Sequence, residues 1–412
     1  MDLTSAKEVS MSQSFPLLDP PHYPEGSLTG SPTGSSWQVS SLLPVTYTVR
    51  TCRDLLDPDN DNLEREAFGG PSRRRLIIVE QKVFDFYGAR LVTYLRERRL
   101  AGHVVSLVAH ESVKDQYLAN RIVDAIDDFG IDRRCEPIVV IGGGVMLDVA
   151  GWVAGAYRRG TPYIRIPTTL IGLVDAGVGI KTAVNHNGHK NIIGSYHAPL
   201  SALLDPQFLL TLPARHISNG MAEIAKMGLM CDVALWKLIA AQPNELVRTA
   251  LGFTDSSLTD SGEKILSRAI HSMLAELQPN LWERDLRRLV DFGHTFSPDL
   301  EMASQPELLH GEAVSIDMAI SCALSHQRGL LYEGPLREII VTLHGLGLPV
   351  DHPMCTLDLL SHGLAQTTLH RGGRQRIPVP VEPGSAEFLE EVTERELAEA
   401  LSHVRHIAGD LR

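Results

Sequence analysis

Three side chains that commonly bind metal ions are spread over the second half of the chain: Glu223, His294 and His310. One carboxylate and two imidazoles can hold Zn²⁺ while leaving a coordination position open for a substrate oxygen. Lys226 follows Glu223 by three residues, so on a helix the two side chains share a face and the lysine could meet a substrate beside the metal. Because the chain contains 17 histidines, two of them do not establish a metal site by themselves, and side chains without a metal are the alternative.

A glycine-rich polar segment between residues 165 and 191 contains a second group of candidates. They are Thr168, Thr169, Asp175, Lys181, Lys190 and Asn191. Lysines in such a loop could hold a phosphate as point charges, and the aspartate could orient a hydroxyl group or a ribose. The segment is therefore a candidate binding site for a phosphorylated ligand.

A third candidate is the glycine turn in residues 138–151, where an apolar run leads into Gly142-Gly143-Gly144 and then into a helical pattern with Asp148. Glycines at such a turn let the backbone approach a pyrophosphate, whose charge the helix N-terminus stabilises. The turn is not the G-x-G-x-x-G fingerprint, so a tight turn without a ligand is the alternative.

These candidates must be positioned by the elements around them. From about Tyr47 short β-branched runs (76–79, 104–108, 138–141) alternate with amphipathic helical stretches (83–98, 113–129). This alternation predicts a parallel sheet covered by helices on both faces. After Leu212-Pro213 strand signals nearly vanish, and helices are expected near 218–229, 261–277, 311–327 and 393–408.

We therefore predict an α/β, Rossmann-like nucleotide-binding domain over residues 41–212 and a mostly α-helical metal- and substrate-binding domain over residues 213–412. Residues 1–40 are rich in Ser, Pro and Gly, which predicts a flexible tail.

Composition excludes several classes of function. The net charge of −12 disfavours nucleic-acid binding. No apolar stretch approaches the length of a membrane span, and no signal peptide is recognisable. The five cysteines include no C-x-x-C pair, which disfavours both a disulfide framework and a thiolate zinc site. A cytoplasmic protein without membrane or nucleic-acid partners is expected.

Together, residues 75–380 resemble the dehydroquinate-synthase-like sugar-phosphate cyclases. The motifs that carry the resemblance are Gly142-Gly-Gly with Asp148, Pro167-Thr-Thr, Asp175 with Lys181, Lys190-Asn191, Leu212-Pro213, Glu223 with Lys226, Gly293-His294-Thr and His310-Gly-Glu. Each motif is unspecific alone, but their combination in this order is specific. The resemblance implies an enzyme that uses NAD⁺ and a divalent metal, and it implies a homodimer.

The resemblance also implies roles for individual residues. Glu223, His294 and His310 would bind zinc or cobalt. NAD⁺ would lie over Gly143, Gly144 and Asp148 with Thr168, Thr169 and Asp175 nearby, and its adenosine half would meet Glu80, Glu111 and Lys114. The residues that would handle substrate phosphate and hydroxyls are Lys181, Lys190, Asn191, Lys226 and Arg287, with the two lysines of the polar segment also near the cofactor.

Departures from the dehydroquinate-forming pattern indicate a different substrate. Met273 replaces a lysine and Asp291 replaces an asparagine, so a substrate carboxylate would lie unpaired or be repelled. The motifs Asp291-Phe-Gly-His-Thr-Phe-Ser-Pro, Gly188-His-Lys-Asn and His370-Arg-Gly-Gly resemble those of the 2-epi-5-epi-valiolone synthases. That subfamily cyclises sedoheptulose 7-phosphate, and in it Asp291 and His370 would contact the substrate.

The implied chemistry is transient NAD-dependent oxidation, phosphate elimination, reduction and intramolecular aldol closure, the work of a carbon–oxygen lyase acting on phosphates. Three alternatives remain open. These are a desmethyl-4-deoxygadusol synthase using the same substrate, an iron-type polyol dehydrogenase, and a nucleotide-binding paralogue without catalytic activity.

Overall fold

The computed structural model describes residues 27–29, 31, 33–69, 72–254, 257–304 and 308–411. Its strands are, in chain order, β1 (Ser27–Thr29), β2 (Gln38–Ser40), β3 (Thr48–Thr51), β4 (Arg74–Glu80), β5 (Ala101–Leu107), β6 (Ile138–Gly142), β7 (Tyr163–Pro167), β8 (Lys181–His186), β9 (His189–Tyr196), β10 (Ser201–Leu204), β11 (Phe253–Thr254), β12 (Ser257–Leu258), β13 (Ile377–Glu382) and β14 (Ser385–Leu389).

The α-helices of the same described residues are α1 (Asn62–Phe68), α2 (Gln81–Glu97), α3 (Gln116–Phe129), α4 (Gly144–Ala156), α5 (Ala214–Met230), α6 (Val233–Ala241), α7 (Pro243–Arg248), α8 (Asp260–Leu277), α9 (Ser297–Ser304), α10 (His310–Gln327), α11 (Glu333–Gly345), α12 (Leu357–His370) and α13 (Glu394–Gly409). Short 3-10 segments and one π-helical turn, Gly172–Ala176, connect them.

Six strands form one sheet in the order β3-β10-β7-β6-β4-β5, and every pairing within it is parallel. All residues of β6 and β7 are buried, as expected for central strands with helices on both faces. Adjacent residues of β4 enter different cores because side chains alternate along a strand. Ile78 packs with Ile122 of α3, whereas Ile77 packs with Leu91 of α2.

The second half of the molecule is built around two helices that are buried on all sides. Every residue from 217 to 230 of α5 is buried, and so is every residue from 311 to 325 of α10. A helix that is apolar or buried all round belongs to a core and not to a surface. The remaining helices, α13 among them, pack around this pair.

The predicted strand–helix alternation and the predicted helical second half are confirmed. The four helices expected after Pro213 correspond to α5, α8, α10 and α13. Sequence patterns did not predict two hairpins, β8–β9 within the polar segment and β13–β14 near the end of the chain.

Part of the predicted tail, residues 1–26, lies outside the described residues. Further along it, β1 pairs with β2 in an exposed antiparallel ribbon. All five cysteines are unpaired. Among the described residues, no helix combines the length and apolar character that crossing a membrane requires.

Candidate active site

A cleft with a volume of about 1090 Å³ lies between the carboxyl ends of the sheet strands and the start of α10. The predicted residues that line it are Glu80, Glu111, Lys114, Gly143, Gly144, Asp148, Thr168, Thr169, Asp175, Lys181, Lys190, Asn191, Lys226, Asp291, His294 and His310. Glu223 lies immediately behind its wall, against His294 and His310. Residues far apart in sequence are therefore brought to one place, as the motifs predicted.

The carboxylate of Glu223 and two imidazoles converge in this cleft. Nε2 of His310 lies 3.5 Å from Oε1 of Glu223, and Nε2 of His294 lies 3.8 Å from the same oxygen. Each imidazole is oriented by a contact of its other nitrogen. Nδ1 of His294 lies 3.1 Å from the Phe292 carbonyl. Nδ1 of His310 lies 3.3 Å from Oε2 of Glu301. This second-sphere arrangement is typical of histidines that ligate a metal through Nε2.

The electrostatics of the three side chains suit a cation. Glu223 is fully buried, and neither carboxylate oxygen accepts a hydrogen bond of ordinary geometry, although the Lys226 ammonium lies against it. Burial opposes ionisation of Glu223, but Lys226 and the imidazoles hold the pKa of that carboxyl well below its usual range. Burial and the Lys226 ammonium lower the pKa of His294 to about 3, so His294 is neutral, as a ligand must be.

His310 differs from His294 because it faces two carboxylates. Burial disfavours its charged form, but the nearby Glu223 and Glu301 carboxylates raise the pKa of His310 to about 10. A divalent ion that binds here therefore replaces the proton on Nε2. The donor set, with its buried ionised carboxylate, fits a divalent metal ion.

Close packing of α5 against α10 makes this convergence possible. A Cβ atom on Gly311 would lie 2.1 Å from the carbonyl oxygen of Asn219, so only glycine allows the two helices to approach this closely. The amide of Gly311 also donates to Oδ1 of Asn219 at 2.6 Å. As a result, the first residue of α10, His310, reaches Glu223 in the middle of α5.

Glu301 connects the metal-ligand set to Lys190. It accepts from Nδ1 of His310, and the Lys190 ammonium lies against its other oxygen. Although burial opposes ionisation, these two partners lower the pKa of Glu301 to about 2. Lys190 also lies 3.6 Å from Oε1 of Glu111. Sequence reasoning missed Glu301, since a lone glutamate on a short helix gives no signal of its own.

The carboxyl end of the sheet supplies a second polar cluster. Lys114 Nζ lies 2.6 Å from Oδ2 of Asp148 and 2.6 Å from Oδ1 of Asn191. The amide of Gly143 donates to Glu80 at 3.1 Å, and burial raises the pKa of Glu80. These residues surround the start of α4.

The glycine turn leaves the N-terminus of α4 accessible. The N-cap residue, Gly143, has no side chain that could cap this helix, and both Gly143 and Gly144 line the cleft. A Cβ on Gly143 would lie 3.2 Å from Cγ2 of Thr169, and one on Gly144 would meet Ala176 Cβ at 3.5 Å. An uncapped helix N-terminus in a tight backbone cradle fits the pyrophosphate of a dinucleotide.

A third cluster surrounds Asp291, which is buried. The Arg288 guanidinium binds its carboxylate through Nε at 3.1 Å and Nη2 at 2.9 Å, and Arg371 Nη2 lies 3.4 Å from Oδ2. Arg288 also pairs with Glu283, whose Oε1 lies 2.8 Å from Lys181 Nζ. The cations at this wall are therefore already bound to carboxylates.

The structure does not bring Arg287 or His370 to the cleft. Arg287 is exposed, and its guanidinium stacks over the Phe388 ring at 4.8 Å from the centroid. His370 is exposed at the last residue of α12. In both cases the next residue, Arg288 or Arg371, points inward to Asp291. The structure therefore does not place Arg287 and His370 where a substrate in the cleft would lie, and their neighbours Arg288 and Arg371 contact Asp291 instead.

Comparisons with known proteins agree with this arrangement. The family model described as 3-dehydroquinate synthase N-terminal matches residues 104–219, and the one described as 3-dehydroquinate synthase C-terminal matches residues 220–367. The chain is 47% identical over 369 residues to a 2-epi-5-epi-valiolone synthase of Streptomyces hygroscopicus subsp. jinggangensis, covering 89% of each chain. It is 38% identical over 372 residues to a demethyl-4-deoxygadusol synthase of Trichormus variabilis, covering 89% of this chain and 90% of that protein.

A solved structure of a 2-epi-5-epi-valiolone synthase from Streptomyces hygroscopicus subsp. jinggangensis 5008, with NAD⁺ and Zn²⁺ bound, superposes with a TM-score of 0.85. The match has 46% sequence identity and covers 90% of this chain and 99% of that one. The fold is therefore shared, over 90% of this chain, with an enzyme that holds both groups.

Proposed function

The chain belongs to the 3-dehydroquinate synthase family, and from this membership we propose that it is a sugar-phosphate cyclase converting sedoheptulose 7-phosphate to 2-epi-5-epi-valiolone and phosphate. The reaction is redox-neutral overall and breaks the C–O bond to phosphate, so the enzyme would be a carbon–oxygen lyase acting on phosphates. Support comes from the identity to four 2-epi-5-epi-valiolone synthases, 44% to 47%, against 38% to the demethyl-4-deoxygadusol synthase. A further 2-epi-5-epi-valiolone synthase, from Streptomyces glaucescens, is also 38% identical.

The observation that carries the proposal is the presence of three sites in one cleft. These are the Glu223, His294 and His310 set, the uncapped start of α4, and the lysines of the polar segment. The first fits Zn²⁺ or Co²⁺, and the second fits NAD⁺. When bound, NAD⁺ supplies reversible hydride transfer and the metal polarises substrate oxygens.

The protein's own groups would stabilise charge and position the substrate. Lys181 and Lys190 line the cleft and would hold the phosphate through their ammonium groups. Lys226 Nζ lies beside the metal-ligand set, where it would stabilise negative charge developing on an adjacent oxygen. Asn191 and Lys114 would orient the cofactor or substrate by hydrogen bonding from the sheet side.

Substrate choice is argued from the wall containing Met273 and Asp291. Met273 is buried and apolar, and the arginines near Asp291 are paired with carboxylates. A substrate carboxylate would find no unpaired cation among these residues, whereas sugar hydroxyls could donate hydrogen bonds to Asp291. This arrangement supports a polyhydroxylated substrate and not a keto acid.

The test is to incubate the zinc-loaded protein with NAD⁺ and sedoheptulose 7-phosphate, following phosphate release and NADH absorbance while the product is identified by NMR. We expect phosphate release without net NADH and 2-epi-5-epi-valiolone as product. A gadusol-type product would indicate that the chain is a demethyl-4-deoxygadusol synthase instead. Steady NADH accumulation would indicate a polyol dehydrogenase, and NAD⁺ binding without phosphate release would indicate a non-catalytic paralogue.

The family resemblance also supports a homodimer working in the cytoplasm. Light scattering would test the assembly, with a molar mass of twice the 45.2 kDa chain expected. A monomeric mass would contradict it.

A further inference from the structure

A second cluster of metal-ligating side chains lies at the opposite end of α10 from His310. It comprises His326 in the last turn of α10, Glu333 at the start of α11 and His403 on α13. The 16 residues separating His310 from His326 correspond to about 24 Å of helix at a rise of about 1.5 Å per residue. The cluster is therefore distinct from the cleft.

The two imidazole-to-carboxylate distances in this cluster suit a tetrahedral metal ion, and all three ligand atoms lie within 4.8 Å of one another. Nε2 of His326 and Nε2 of His403 each lie 3.3 Å from Oε2 of Glu333. Neighbouring ligand atoms around a tetrahedral Zn²⁺ with bonds of about 2.0–2.1 Å are separated by about 3.3 Å. The corresponding distances in the cleft, 3.5 and 3.8 Å, are slightly longer.

The orientation of His326 makes a cation at this point chemically reasonable. Its Nδ1 lies 2.9 Å from the Leu331 carbonyl, so Nδ1 must carry a proton to donate there. A neutral His326 then points the lone pair of Nε2 at a carboxylate oxygen, which is repulsive unless a proton or a metal ion lies between them. The turn from α10 to α11 fixes this geometry, with Gly329 at a φ of +70°.

The surroundings leave the site open on one side. The side chains of His326, Glu333 and His403 are 30%, 49% and 24% exposed, so water can occupy a fourth position. The one other cation that pairs with Glu333 among the described residues is Arg337, whose Nε lies 3.7 Å from Oε1. Oε2 is thus left to face the two imidazoles.

We propose that His326, Glu333 and His403 bind a second divalent transition-metal ion, Zn²⁺ or an ion of similar chemistry. Two imidazoles and one carboxylate match the ligand preference of such ions. The ion is held by ligands from the end of α10, the start of α11 and α13. It therefore stabilises the packing of α13 against α10. Partial exposure makes this site weaker than the buried one.

Zinc titration of the chelator-stripped protein tests the proposal, with stoichiometry measured by calorimetry and by metal analysis after equilibrium dialysis. Wild type is expected to bind one equivalent more than His403→Ala or His326→Gln, two variants on different helices. Zinc added beyond the first equivalent should raise the Tm of wild type but not of either variant. Cyclase activity with one equivalent of zinc should be the same in all three.

His406→Ala is the matched control, because His406 is another exposed histidine on α13, one turn from His403. It should keep the wild-type stoichiometry and Tm response. The test compares the zinc stoichiometry of wild type with that of the variants. A difference of one equivalent would therefore still be seen if the cleft itself bound no zinc. Equal stoichiometry in wild type, His403→Ala and His326→Gln would overturn the proposal and leave an ordinary ion-pair cluster.

Discussion

At the scale of single residues, the surroundings of Arg287 and Arg288 differ completely although the two are adjacent. Arg287 is exposed against Phe388, whereas Arg288 joins Glu283 to Asp291. Its ion pair with Asp291 orients the Asp291 carboxylate. Its ion pair with Glu283 orients the carboxylate that binds the Lys181 ammonium.

We expect Arg288→Lys to lower kcat/KM for the heptulose phosphate by about 10²-fold, because lysine cannot reproduce the two-point contact with Asp291 and small displacements in an active site are costly. Arg287→Lys should leave kcat/KM close to wild type. Steady-state phosphate release measures both. Equal losses in the two variants, or a larger loss in Arg287→Lys, would contradict this placement.

Glu301 is the second residue whose role rests on a contact. Glu301→Gln should weaken zinc binding about 10- to 100-fold, because the carboxylate that orients His310 is replaced by a neutral amide. Competition with a chromophoric chelator measures the affinity. Asp299→Asn is the control, since Asp299 lies on the same helix and pairs with the exposed His362. The idea fails if both variants bind zinc as wild type does.

At the scale of elements, the approach of α5 to α10 is the feature on which the metal-ligand set depends. Gly311→Ala should destabilise the protein by about 1–3 kcal/mol, because a methyl group there overlaps the Asn219 carbonyl. It should also weaken zinc binding, since His310 is the adjacent residue. Thermal and urea unfolding measure the first effect, and zinc competition measures the second.

Gly334→Ala on α11 provides the comparison for that substitution. No atom lies within 4 Å of a Cβ at this position, so stability should be unchanged or slightly raised. A similar loss of stability in both variants would contradict the close approach of α5 to α10 as the cause of the effect.

The sequence predicted elements well where apolar runs were long and periodic. The parallel strands and the buried helices α5 and α10 both follow from such runs. The hairpin β8–β9 was overlooked although Asn187-Gly188, with φ values of 49° and 78°, is a strong hairpin-turn signal. The hairpin β13–β14 has a turn signal in Pro383-Gly384, but Pro378 and Pro380 argue against a strand before it.

Site residues were predictable as segments but not always as individual side chains. The glycine turn and the metal-ligand set occupy positions that motifs define. Which of Arg287 and Arg288, or of His370 and Arg371, contacts Asp291 depends on backbone direction at a turn, which spacing does not encode. Glu301 becomes recognisable only once α9 and α10 are packed together.

At the scale of the whole molecule, the cleft joins the sheet to the helical half, so a bound dinucleotide should stabilise the native state. NAD⁺ at about 100 times its Kd should add about 2.7 kcal/mol to the free energy of unfolding, seen as a higher Tm. Gly144→Ala should fold normally, since its Cβ would make an ordinary 3.5 Å contact with Ala176, but the methyl group would obstruct the dinucleotide.

The Tm increase caused by NAD⁺ should therefore be reduced or lost in Gly144→Ala, while the Tm without NAD⁺ stays at or above the wild-type value. Gly334→Ala should keep the full increase. An undiminished increase in Gly144→Ala would mean that the cofactor does not lie over the start of α4.

The pairing of Lys181 and Lys190 with carboxylates has a consequence for turnover. Both lysines already have internal counter-ions, in Glu283 and Glu301. An arriving phosphate must exchange with these carboxylates, so its binding gains less free energy than it would from two unpaired ammonium groups. Once the phosphate ester is cleaved, the same carboxylates can pair with the lysines again. Re-formation of these ion pairs favours release of inorganic phosphate and limits product inhibition.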